Sequence, residues 1–148
     1  MSVSQQVAKD LMAAMKNKEK GKLEALRALK TAFTLAKTSS TSELSDDEEL
    51  KIVQKLVKQR KDSAQEYSAQ NRPELADVEL QEAEIISQYL PQQLSEEEIA
   101  TVVDTAISDT GAEGMKDMGK VMGIVTKQLA GKADGKLISE IVKKHLGN

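Results

Sequence analysis

The chain has 148 residues, no cysteine, no tryptophan, one phenylalanine and two tyrosines, with 21 basic and 24 acidic side chains for a net charge of −3. That length suits one domain or two small modules, and so few aromatics argue against a β-sandwich or barrel. The lack of cysteine excludes disulfide frameworks, thiolate zinc sites and thiol nucleophiles, and no apolar run or signal-like start appears, so a cytoplasmic, helical protein with no membrane contact is expected.

Helical periodicity dominates the chain. Val3, Val7, Leu11 and Met15 mark a first helix, and Asn17–Gly21 is a polar break. Leu26, Leu29, Phe33 and Ala36 mark a second, followed by a Ser/Thr loop over Thr38–Thr41. Ser45 with Glu48 forms a capping box, and four acids suit the positive start of a long third helix. That helix runs through Leu50, Val53, Leu56, Val57, Ala64 and Tyr67 to Asn71, Arg72 and Pro73. Pro73 suits the first turn of a fourth helix, marked by Leu75, Val78, Ile85, Ile86 and Tyr89.

Pro91 cannot continue that helix and marks a boundary. Ser95 with Glu98 is a second capping box, opening a fifth helix with Ile99, Val102, Val103, Ala106 and Ile107 inward. A glycine-bounded loop over Asp109–Gly114 leads to a sixth helix starting near Asp117, with Met118, Val121, Met122, Val125 and Leu129. The turn Gly131–Lys132–Ala133–Asp134–Gly135 precedes a seventh, with Leu137, Ile138, Ile141, Val142 and Leu146. The expected fold is all-α: a long-helix bundle module over residues 1–92 and a three-helix module over residues 93–148.

Charge is segregated along the chain. Residues 1–37 hold 8 basic and 3 acidic side chains, residues 62–98 hold 1 and 10, and residues 115–148 hold 7 and 3. Such blocks either steer a polyanion to one surface or pair helix with helix inside a bundle.

Catalytic signals are weak. The single histidine, His145, lies on the inner stripe of the last helix near its end, where a cation favours the negative terminus. It has no evident nucleophile beside it. No phosphate-loop signature occurs, and one histidine with scattered carboxylates makes no metal site. No cofactor and no catalytic residue of the chain's own is expected. Arg60 and Glu82 fall on the apolar stripes of helices three and four and are expected to pair as a structural device, because a buried charge needs a partner.

Two features of the last module bear on binding. Gly119 and Gly123 lie four apart in helix six, where each costs about 1 kcal/mol relative to alanine. Close helix packing or a bare surface for a ligand backbone would explain them. In the 131–135 turn, Asp134 is placed to cap helix seven, and Lys132 and Lys136 flank free helix amides that suit a phosphate. A plain turn, with glycine supplying positive φ, is the alternative.

In order, Lys58–Ser63, Tyr89–Glu97, Asp117–Gly123 and Gly131–Gly135 resemble the YqeY, or GatB/YqeY-like, family from end to end. The resemblance implies an all-α fold and a link to the tail of the B subunit of tRNA-dependent amidotransferase. That enzyme amidates Glu-tRNA(Gln) or Asp-tRNA(Asn) with glutamine. Its tail contacts tRNA, while its carbon–nitrogen ligase chemistry, with glutamine as amido-N-donor, occurs elsewhere. The matching tail segments here are Gly119, Lys120, Gly123, Gly131, Lys132 and Ala133. The tail usually has Asn-Pro where this chain has Asp134-Gly135, and the added negative charge weakens direct phosphate contact there. The implied function is a non-catalytic accessory protein binding tRNA or structured RNA, with no DNA expected. Lys116, Gly119, Lys120, Gly123, Gly131, Lys132 and Lys136 would form the contact face. The alternative is a module docking on an amidotransferase or another partner, which exposed Met118 or Met122 would favour.

Overall fold

A computed structural model describes residues 1–147, and among these every regular element is helical. Seven α-helices run α1 Val3–Lys16, α2 Lys20–Thr38, α3 Asp46–Ala69, α4 Pro73–Ser87, α5 Glu96–Thr110, α6 Met118–Gln128 and α7 Gly135–Leu146, with one 3₁₀ turn at Met115–Asp117. They group into two units that divide between Leu90 and Pro91. No helix of the described residues is long and apolar enough to cross a membrane.

Local chemistry sets the helix ends. Ser45 and Ser95 each accept from the amide three residues on, and Glu48 and Glu98 reach back to the cap nitrogens. Ser2 and Gln5 form a third such box at α1, a pairing that a glutamine partner makes less conspicuous in sequence. Pro73 occupies the first turn of α4. Three helices end alike, on a residue with positive φ: Lys18 at 55°, Asn71 at 60° and Gly111 at 67°. In each the following amide reaches back a full turn: Glu19 to the Ala14 carbonyl, Arg72 to Tyr67 and Ala112 to Ile107. This closure satisfies carbonyls that a helix end leaves free.

The first unit is built on a long α3–α4 hairpin, with α1 paired to α2 and α2 packed on α4. Its core holds Val7, Leu11, Ala14, Ala25, Leu26, Leu29, Phe33, Val53, Val57, Ala83 and Ile86. Two stripe positions differ from the periodic reading. Met15 is exposed and Ala14 fully buried, while Val78 is exposed and Ala76 and Ala83 are buried. Small side chains let helix axes approach closely, so alanine takes the contact line and the larger residue rotates outward.

The second unit is a three-helix bundle in which α5, α6 and α7 each touch the other two. Ile99, Val103, Ala106, Val121, Val125, Leu129, Ala133, Ile138, Val142 and Leu146 form its core. The segment before α5 belongs to it. Leu94 donates its amide to the Lys132 carbonyl at 2.9 Å and packs on the core, and the Gln93 side-chain amide donates to the Gly131 carbonyl at 2.7 Å.

Candidate nucleic-acid interface

The outer face of α6 follows from its inner one. Val121 and Val125 are fully buried, which fixes the rotation of the helix. At about 100° per residue, Gly119, Lys120, Gly123 and Lys127 then fall within a solvent-facing arc of about 100°. All four are exposed. A Cβ placed on Gly119 or Gly123 meets nothing within 4 Å, so helix packing does not account for the two glycines. They form a smooth strip of backbone flanked by two lysines. The helix carries no acidic side chain. Lys116 stands in the preceding 3₁₀ turn and pairs loosely with Glu113 at 3.9 Å, both being exposed.

The turn into α7 divides into structural and exposed parts. Gly131, at φ 76°, is buried, and its carbonyl is taken by Gln93. It shapes the turn and offers little to a ligand. Lys132 and Lys136 are exposed. Among the described residues, Lys120, Lys127, Lys132 and Lys136 have no carboxylate within 4.0 Å. Asp134 holds the cap position of α7 but its side chain makes no cap hydrogen bond. The carboxylate is exposed to water instead, which corrects the capping role read from its position. Gly135 begins α7, and only Gly131 uses the left-handed backbone. Lys120 and the turn lie about 12 Å or more apart along α6, so the two groups of lysines suit separate anionic groups.

The groove between α5 and α7 is of opposite character. Glu96, Glu97, Glu140, Lys144 and His145 rim a space of about 310 Å³ floored by Ala100, Leu137 and Ile141. In a bundle of three mutually packed helices this groove lies away from the outer face of α6. His145 is half-buried at the groove rather than on the inner stripe, and its Nδ1 lies 2.6 Å from Oδ1 of Asp104 on α5. No cluster of three or more metal-ligating side chains occurs among the described residues.

In the first unit, Arg60 Nε lies 3.9 Å from Glu82 Oε2 and 3.7 Å from Glu79 Oε2. All three side chains are about one-fifth exposed. Burial pushes the Glu82 carboxyl up from its ordinary value, Arg60 opposes this, and Glu79 and Glu24 reinforce it. Glu79 is the partner that periodicity left out, although it lies one turn from Glu82 on α4.

The profile of the family described as Yqey-like protein matches residues 4–146. The chain belongs to the YqeY family. Similar proteins include the altered inheritance of mitochondria protein 41, mitochondrial, of Pyrenophora tritici-repentis, 26% identical over 141 residues, or 93% of this chain and 77% of that protein. The protein of the same name from Clavispora lusitaniae is 36% identical over 81 residues, covering 53% of this chain and 46% of that one. The E-type subunit of glutamyl-tRNA(Gln) amidotransferase from Thermococcus gammatolerans is 39% identical over 57 residues, 36% of this chain and 9% of that protein. The chain therefore spans less than half the length of two of these three relatives.

On this YqeY-family chain, Lys127 is the exposed residue that motif reading missed. Its position was nonetheless readable, four residues after Gly123 and seven after Lys120. Met118 and Met122, whose exposure would have favoured partner docking, are half-buried against the core of the second unit.

Proposed function

We propose that this chain is a non-catalytic, cytoplasmic binding protein for tRNA or similarly folded RNA, acting as an accessory to tRNA amidation. Backbone phosphates would lie along Gly119 and Gly123, with Lys116, Lys120 and Lys127 beside them and Lys132 and Lys136 reaching a further phosphate group. The exposed glycine pair carries this reading. Gly123 in the interior of this short helix weakens it, and Gly119 in the first turn does so to a smaller degree; no internal neighbour requires either, and a close-approaching partner would. The lysines supply the charge and the acid-free helix avoids repulsion. No aromatic residue follows Tyr89, so recognition would follow the shape and phosphates of the RNA rather than base stacking. The similarity to part of a glutamyl-tRNA(Gln) amidotransferase points to tRNA as the first RNA to try.

The test is a titration of tRNA against the wild type and the triple variant Lys120→Glu, Lys132→Glu, Lys136→Glu. Wild-type affinity should fall with salt on a log–log slope of about −4 to −5, as five lysine–phosphate contacts require. The variant should lose that binding. Superimposable curves would reject the site.

A further inference from the structure

The first unit holds a buried charge beside a pocket. Glu49, 4% exposed, is the one charged residue among the buried side chains of the described chain. It stands one turn before Val53 and two before Val57, on the core-facing stripe of α3. Its side-chain Oε1 accepts a long hydrogen bond, 3.3 Å, from the Ser4 amide in the first turn of α1. A carboxylate has room for about four such bonds, and no buried side-chain polar atom of the described residues is left without a partner. The Ser2–Gln5 box satisfies the Ser2 and Gln5 amides and leaves the Ser4 amide to Glu49, whose charge also suits the positive start of α1.

Glu49 also lines a pocket of about 200 Å³. Ala8, Phe33 and Leu44 give it an apolar lining, and Lys30 and Lys37 line it as well. Lys37 pairs with Glu43 at 3.1 Å. Lys30 has no carboxylate within 4.0 Å among the described residues. The Thr34 hydroxyl on the wall donates to the Lys30 carbonyl and so is already occupied. The lining is thus electrically balanced, with the carboxylates of Glu43 and Glu49 and the ammonium groups of Lys30 and Lys37, and Lys30 is the cation left without a carboxylate partner among the described residues. Its volume equals roughly six or seven waters at about 30 Å³ each.

We propose that this pocket binds a small zwitterion of amino-acid size. The ligand's ammonium would donate to the Glu49 carboxylate, its carboxylate would meet Lys30, and a short aliphatic body would cover Phe33 and Leu44. The proposal is independent of the RNA reading, which concerns the second unit alone.

Three size-matched probes separate the contributions: L-norvaline with both charges, n-butylamine with the cation only, and butyrate with the anion only. Binding to the full chain is followed by amide NMR at Ser4. Norvaline should give a saturable shift, butylamine a weaker one and butyrate the weakest. Glu49→Gln should weaken norvaline and butylamine by about tenfold or more, the scale of one charged hydrogen bond. Lys30→Gln should leave butylamine unchanged and erase the preference for norvaline. Lys30 is exposed, so that variant decides the matter even if Glu49→Gln loses its dispersed spectrum. The proposal is overturned if norvaline at about 10 mM gives no saturable shift, where a Kd of about 1 mM would nearly saturate. Equal response to all three probes, or norvaline preference surviving Lys30→Gln, overturns it equally.

Discussion

The Tyr89 hydroxyl donates a 2.6 Å hydrogen bond to Oδ2 of Asp10, joining the first helix to the segment just beyond α4 across 79 positions of chain. Gln6 holds the other oxygen of Asp10 at 2.9 Å, so the carboxylate is fixed from two sides. Tyr89→Phe should cost about 1–2 kcal/mol, because it removes a bond to a charged acceptor and leaves the acceptor half-buried. Urea unfolding of both proteins measures this. Burial, followed by Asp10, raises the Tyr89 hydroxyl above its ordinary 10.0. The unfolded chain therefore releases this proton first, and stability falls as pH rises past about 10. Tyr89→Phe should lack that part of the alkaline loss. Identical slopes in the two proteins above about pH 10 would show the bond to be dispensable.

Arg60 faces two carboxylates, Glu79 and Glu82, and its removal leaves them facing each other. Arg60→Met should cost about 1 kcal/mol, since the distances are long and the side chains partly wet. Glu82→Gln has the opposite sign. The folded state holds the Glu82 carboxyl above its ordinary 4.5, so folding favours its protonated form and stability falls as pH rises from 4.5 through the raised value. The glutamine variant should equal or exceed the wild type at neutral pH and show a flatter stability profile on that limb. A large loss at neutral pH would mean that the charge on Glu82 is needed.

Gly123→Ala makes stability and binding move in opposite directions. The new methyl group meets nothing within 4 Å and α6 gains helix propensity, so Tm should rise by the equivalent of about 1 kcal/mol. Gly119→Ala should do the same to a smaller degree, being in the first turn. If RNA lies on this strip, tRNA affinity should fall in both variants despite the stabilisation. Stabilised variants with unchanged affinity would leave the glycines without a role at the surface.

Much of this architecture was legible in the residues and some was not. Ser45 and Ser95 announced α3 and α5 because a cap is a local contract between positions three apart. Alanines hid the true contact lines at Ala14 and Ala83, since hydropathy weights Met15 and Val78 above them while close packing prefers the smaller side chain. Gly119 and Gly123 were open to a sharper reading. They lie across the helix from Val121 and Val125, so the same periodicity that buries the valines exposes the glycines. Glu49 was harder. It is the last of four acids in a row, and only its phase with Val53 and Val57 sets it apart from Glu48. The partner that approaches it, Ser4, is 45 residues away.

The two hydrophobic clusters have no residue in common, and the second includes Leu94 from the segment before α5. A fragment over residues 91–148 should therefore fold alone, with helical circular dichroism and a cooperative melt. At about 60 residues it sits near the lower limit for an unaided core, so each anchor counts heavily. Leu94 supplies two, an apolar contact and the 2.9 Å bond to the Lys132 carbonyl, and Gln93 supplies a third at Gly131. Leu94→Ala should cost the fragment about 1–2 kcal/mol, as a half-buried leucine requires. A fragment over residues 95–148, which keeps the Ser95 cap of α5, leaves the Gly131 and Lys132 carbonyls to water and should melt earlier still and more broadly. Equal melting of the long and short fragments would show that the turn before α7 holds its shape without them.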